Sequence, residues 1–253
     1  MMSKESYKMD MCNGPVLQKV IAFSLPLMLS SCLQLLFNAA DVIVVGRFAG
    51  STSLAAVGST TELLSLLTTL FIGFSIGANV NVARTLGNQD DQGTKDGIHT
   101  AVSVSILSGS AMILLGFLFG RPMLQWMGTP ADVIDKASLY LMIIFIGMPS
   151  NMAYNFGSAI LRAMGDTKRP LYFLSAAGVL NVVLNLIFVI VLHMDVAGVA
   201  LATILSETLS AVLILNCLCR TDGPCHLNIR KLYIQKDQLI RMLRIGLPAG
   251  IQS

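Results

Sequence analysis

Six apolar stretches, each long enough to cross a bilayer, fix what this chain can become. They cover about residues 16–46, 54–83, 98–119, 136–161, 171–192 and 196–218, against the roughly 20 residues a helix needs to span the hydrocarbon core. Within lipid each backbone N–H and C=O must find a partner inside the protein, so long apolar runs of this kind form helices. Only 12% of the residues are charged and 54% are hydrophobic, whereas about a quarter of an average globular domain is charged. The expected fold class is therefore all-α and integral to the membrane. The first apolar run is too long for a cleaved leader and lacks a small-residue cleavage site, so no cleaved signal is expected.

The basic residues predict the orientation. With the N-terminus inside, the inner segments hold fourteen: Lys4, Lys8, Lys19, Arg84, Lys95, Arg162, Lys168, Arg169, Arg220, Arg230, Lys231, Lys236, Arg241 and Arg244. The outer segments hold three, Arg47, Arg121 and Lys136. Lys and Arg concentrate in cytoplasmic loops, so a multi-pass protein of the plasma membrane with a cytoplasmic N-terminus is expected.

Polar residues inside these spans are costly and mark either helix–helix hydrogen bonds or a path for an ion or substrate. Ser30, Gln34, Asn38 and Asp41 share one face of the first span, because residues three and four apart lie over one another on a helix. The second span carries Glu62, Ser65 and Thr69 on one face, the fourth Asn151, Asn155 and Ser158, the fifth Asn181 and Asn185, and the sixth Thr203, Glu207 and Ser210. At a rise of about 1.5 Å per residue, Asp41, Glu62, Asn181, Asn185, Thr203 and Glu207 fall within about 7–16 Å of the outer ends of their helices. The expectation is a shared layer in the outer half of the membrane that takes a cation or a proton.

Breakers set the remaining expectations. Pro26 and Pro149 are places where a helix can bend, since proline removes a helical hydrogen bond. Residues Gly46 to Ser53 read as a tight loop, "RTLGNQDDQGTKDG" as a polar turn, and Gly120, Arg121 and Pro122 as the stop of a third span that only packs. Residues 221–244 are basic with Leu232, Leu239, Ile240 and Leu243 interspersed, a pattern of an amphipathic helix on the membrane surface or of a solvated linker helix. Five cysteines, Cys12, Cys32, Cys217, Cys219 and Cys225, form no disulfide framework and match no zinc spacing.

The segment "RMLRIGLPAGIQS" from Arg241 echoes "KVIAFSLPLMLSS" from Lys19, with Pro248 on Pro26 and Ser253 on Ser31. Parallel repeats of six helices are a known transporter design. The expected organisation is a tail over 1–15, a six-helix transmembrane lobe over 16–220, a linker over 221–240 and, from 241 to 253, the start of a seventh helix of a duplicated twelve-helix transporter.

The stretches "SLPLMLSSCLQLLFNAADVIVVGRFAG", "IGANVNVARTLGNQD", "LRAMGDTKRPLYF" and "GVLNVVLNLIFV" followed by "GVALATILSE", in this order and spacing, resemble the multidrug and toxic compound extrusion (MATE) family. The resemblance covers about residues 16–253. It implies a non-enzymatic antiporter that exports organic cations, drugs or other amphipathic compounds by alternating access of two lobes, driven by protons or sodium ions. It places the coupling site on Asp41, Asn181, Asn185 and Thr203, with Asn185 where some members carry a second acid. Gln34, Asn38, Glu62, Asn151, Asn155 and Glu207 are accessory or cavity candidates, and Pro26 the hinge. No cofactor beyond H+ or Na+ is expected. The expected partners are a small cationic or amphipathic substrate, the lipid bilayer and a second lobe, with no nucleic acid. Alternatives are a lipid-linked precursor flippase or polysaccharide exporter of the same superfamily, and a non-transporting membrane scaffold. An intramembrane enzyme is disfavoured, since no paired catalytic His or HExxH lies within the spans.

Overall fold

The computed structural model describes residues 16–252; the tail over 1–15 and the pairing of Ser253 with Ser31 lie outside that range. The described chain folds into seven helices: α1 (Val16–Val44), α2 (Ser51–Gly87), α3 (Asp91–Trp126), α4 (Ile134–Ala163), α5 (Lys168–Asn185), α6 (Asp195–Cys219) and α7 (Lys236–Gln252). The first six are long and apolar enough to cross a membrane. Two of them end in π turns, Val45–Ala49 after α1 and Leu186–Val191 after α5.

Successive helices run antiparallel because their links are short. An 18-residue apolar stretch of α4 is 56% buried and that of α1 only 6%, which makes α4 the centre of the bundle and α1 a peripheral helix. α4 packs against α2, α3 and α6, while α1 lies mainly along α5. The core comprises side chains such as Met112, Leu141, Phe145, Phe156, Ile160 and Ile214, all fully buried. Leu36, Leu66, Leu118, Val179 and Val191 point outward, as side chains facing lipid tails do.

Close approaches depend on small residues, as expected where no hydrophobic drive between helices exists in lipid. Gly109 of α3 lies against the backbone of Pro149 in α4, and Gly73 and Gly77 of α2 meet Met242, Gly246 and Gly250 of α7 backbone to backbone. At one end of the bundle the Lys136 ammonium donates to Asp195 at 2.6 Å and to Ser53 at 2.9 Å, tying the starts of α4, α6 and α2 together.

Several local expectations are corrected. The loop expected over Gly46 to Ser53 is absorbed into the π turn, the single residue Gly50, whose φ of 86° suits glycine, and the first residues of α2. α3 does not stop at Gly120, Arg121 and Pro122 but continues to Trp126, because proline deletes only one N–H and neighbouring packing holds the turn. The polar turn expected at "RTLGNQDDQGTKDG" shrinks to Asn88, Gln89 and Asp90; the Asp90 carboxylate accepts from the Gly93 N–H at 2.9 Å and caps α3.

The basic segment after α6 is not a helix lying on the lipid surface. It makes two short 3₁₀ turns, Gly223–Cys225 and Ile229–Lys231, and docks on the start of α3. There the Asn228 N–H donates to His99 Nε2 at 3.3 Å, the Tyr233 ring stacks on the His99 ring at 5.1 Å, and the Tyr233 hydroxyl donates to Asp96 at 2.5 Å. Partial burial and that neighbouring carboxylate push the Tyr233 hydroxyl up to about 12. α7 begins at Lys236, five residues before 241, and its buried face of Gln238, Met242, Gly246 and Gly250 lies on α2. A hydrogen bond of 2.7 Å from the Asn81 amide to Gln238 Oε1 seals that contact.

Candidate functional site in the lobe cavity

Four helices bring the polar faces read from the sequence into one cavity of about 310 Å³. α1 contributes Gln34, Asn38 and Asp41; α4, Asn151 and Asn155; α5, Asn181; α6, Thr203 and Glu207. Asn185 joins through Asp41: its Nδ2 donates to Asp41 Oδ1 at 2.5 Å and to Asn181 Oδ1 at 3.2 Å. This brings Asp41 and Asn185, 144 positions apart in the chain, into direct contact. Asn185 Oδ1 is buried with no hydrogen-bond partner among the described residues, which leaves a strong acceptor unspent beside a carboxylate.

Glu207 occupies the opposite wall, where its Oε1 accepts from Asn151 Nδ2 at 2.8 Å. Asn151 Oδ1 in turn accepts from Asn155 Nδ2 at 2.9 Å. The Thr203 hydroxyl donates to the Val199 carbonyl at 3.0 Å, so its oxygen lone pairs remain for the cavity. Gln34 and Asn38 are exposed at the mouth.

Glu62 is corrected. It shares a face with Ser65 and Thr69 as read, but that face lines a separate groove with Met123 and Trp126. Depth along a helix does not fix azimuth, and α2 turns this side away from Asp41. Pro26 is buried in α1, which stays helical through it; the Ser30 hydroxyl donates to the Pro26 carbonyl at 2.8 Å.

Two features were not read from the sequence. Tyr140 of α4 is buried close to both Asp41 and Glu207; it stands three turns before Asn151 on the same helix face, a spacing that could have found it. The π turns follow directly on the site residues, beginning four positions after Asp41 and one after Asn185, and they touch one another. Such turns cluster at functional sites, and nothing in the apolar runs "VGRFA" and "LIFVIV" announces them.

A second cavity, of about 570 Å³, adjoins the first. Gln34, Asn151, Tyr154 and Asn155 line both, and Arg162, at the end of α4, lines the second. Arg162, one of the basic residues of the inner segments, belongs to the last turn of α4.

Known proteins resemble this arrangement. A probable multidrug resistance protein of Bacillus subtilis, YpnP, is 32% identical over 247 residues, covering 96% of this chain and 54% of its own length. The multidrug export protein MepA of Staphylococcus aureus is 24% identical, covering 95% of this chain and 53% of MepA. Among solved structures, a MATE protein in a bent conformation superposes with a TM-score of 0.87 at 27% identity, covering 94% of this chain and 53% of that one. An outward-facing MATE family transporter superposes at 0.84 and 27%, covering 92% and 52%. The chain spans about half the length of these relatives. The MatE family model matches residues 26–187, more than half of the chain, and with six membrane-length helices in the same arrangement the chain belongs to the MatE family, that of the multidrug and toxic compound extrusion transporters.

Proposed function

We propose that this chain forms the first six-helix lobe of a twelve-helix, cation-coupled exporter of cationic or amphipathic compounds, with its N-terminus on the cytoplasmic side of the plasma membrane. One observation carries the reading: Asp41 is bound to Asn185 in the wall of the cavity that Glu207 also lines. Two carboxylates placed among amide and hydroxyl oxygens attract a cation, and a proton or a sodium ion competes with a cationic compound for them. That competition is the requirement for exchange of one against the other.

The donors suit a hard cation. Asp41, Asn181, Asn185 and Thr203 offer only oxygen atoms for it, including the unpaired Asn185 Oδ1, and hard cations take oxygen ligands. A cation or proton at Asp41 weakens its bond with the Asn185 amide, which stands where α5 passes into its π turn. α1 as a whole is little buried by its own lobe, so few of its side chains are repacked by a bend at Pro26 once that bond loosens.

In everted vesicles bearing the complete exporter, efflux of a cationic dye should stop when an ionophore collapses the proton and sodium gradients. Efflux that continues at full rate without either gradient would overturn the reading. Asn185→Asp places a second carboxylate beside Asp41 and is expected to lower the sodium concentration for half-maximal efflux about tenfold, since ligand charge count tunes cation affinity. An unchanged sodium response would remove Asn185 from the site.

A further inference from the structure

The second cavity, of about 570 Å³, is a groove with one charged end. α4 forms its floor; Phe23, Leu27, Ser30 and Ser31 of α1 form one wall, and Thr68, Ile72, Ser75 and Ile76 of α2 the other. α1 and α2 hardly touch each other, because α1 leans on α5 while α2 leans on α4 and α7. The groove therefore opens sideways between them.

The walls have no donor to spare. The hydroxyls of Ser30, Ser31, Thr68 and Ser75 donate to carbonyls of their own helices, and the Asn79 amide donates to the Ala159 carbonyl at 2.7 Å. With their donors spent, these residues leave Phe23, Leu27, Ile72 and Ile76 to set the character of the walls, which suits hydrocarbon. From Thr68 to Asn79 α2 rises about 16 Å, close to one leaflet of a hydrocarbon core about 30 Å thick.

Arg162, in the last turn of α4, stands at the Asn79 end of that length, one turn past Ala159. It is part-buried, and among the described residues no carboxylate pairs with it. Its Nη2 donates to Ser158 Oγ at 3.0 Å, one of five guanidinium N–H donors. The planar fork of the others matches a phosphate in two parallel bonds. A charge at headgroup depth, apolar walls running from it for one leaflet and a lateral gap are together the outline of a membrane lipid.

We propose that Arg162 holds the phosphate of an anionic phospholipid resident in this groove, with its acyl chains against Leu27, Ile72 and Ile76 and leaving between α1 and α2. The site rests on the orientation proposed above, which makes this the cytoplasmic leaflet, and not on the exported compound or the driving ion. The lipid gives α1, little buried by its own lobe, a packing partner beside Pro26. A soluble phosphate compound shares the headgroup chemistry but gains nothing from the walls.

Native mass spectrometry of the purified protein in mild detergent tests the site with phosphatidylglycerol and diacylglycerol of the same acyl chains, of which only the first carries a phosphate. The wild type should retain one phosphatidylglycerol and bind it about tenfold more tightly than diacylglycerol, the effect of one charge-assisted contact of about 1.4 kcal/mol. Arg162→Gln should abolish that preference and leave diacylglycerol binding unchanged, and Arg162→Lys should keep part of it. Ile76→Trp, at an exposed position in the gap, should weaken both lipids alike. sn-Glycerol 3-phosphate, a phosphate without chains, should not displace phosphatidylglycerol. A wild type without preference, or a preference that Arg162→Gln leaves unaltered, overturns the site. Equal loss of both lipids in Arg162→Gln also overturns it, since that is the result of a structural role. Should Arg162→Gln fail to fold, Arg162→Lys decides: loss of both lipids there overturns the site, and a reduced preference with diacylglycerol binding intact upholds it. Displacement by glycerol phosphate assigns the guanidinium to a soluble phosphate and overturns the lipid. Dye efflux, which tests the exporter reading, is scored apart from lipid binding, so either can fail alone.

Discussion

Asp41→Asn is expected to leave the lobe folded and to abolish cation-driven efflux. The substitution keeps the shape of the side chain, and the new amide oxygen can still accept from the Asn185 Nδ2 that now donates to Asp41. What disappears is the charge for which a proton, a sodium ion and a cationic compound compete. A coupling free energy between two ligands is typically about 1–3 kcal/mol, or roughly 5- to 150-fold, and the loss of gradient-driven efflux should reach that scale. Dye binding should survive in part, because Glu207 remains on the opposite wall with Asn151. Efflux in vesicles and binding in detergent separate the two effects. Unchanged efflux would sink the role given to Asp41.

Gly109→Ala is expected to give a large loss of stability. A Cβ at this position would fall on the Pro149 Cα, 2.8 Å from its N and 3.1 Å from its Cβ. Those are mostly backbone atoms of the central helix, so they cannot rotate aside. α4 is held on its other faces by α2 and α6, and relief would require shifting a packed helix. Overpacking of this kind costs about 1–3 kcal/mol. Gly58→Ala provides the comparison, since nothing lies within 4 Å of its Cβ position and alanine gains about 1 kcal/mol over glycine in a helix. Thermal unfolding in detergent should show Gly109→Ala well below the wild type and Gly58→Ala at or above it. Equal midpoints for the two variants would refute the packing account.

Much of the site was legible in the sequence because membrane helices have a fixed period and polar groups inside them are few. Asp41, Asn181, Asn185, Thr203, Glu207, Asn151 and Asn155 stood out as costly residues at helical spacing, and the structure brings all of them to one cavity or its wall. Glu62 shows the limit of that reasoning. Its depth matched the others, but the face of α2 that carries it opens on a different groove, and only packing against α7, α4 and α3 sets that rotation. Arg162 shows the converse: near a turn in sequence it counted as a loop charge, while the helix end carries it into a cavity wall. The third span passed through Pro122, and the segment before α7 bound α3 in place of lipid, because tertiary partners outweigh local breakers and amphipathic pattern.

The sequence by itself determined the class of the fold, the number of membrane-length helices and the residue types that line its polar faces. These follow from local physics, the need to satisfy backbone hydrogen bonds in lipid and the cost of a charge within it. Only the tertiary structure decided which polar faces meet, since helix rotation is set by close contacts such as Gly109 on Pro149 and Gly178 on Phe37. It alone also revealed the paired π turns beside Asp41 and Asn185, and the second cavity that Arg162 lines beside the first.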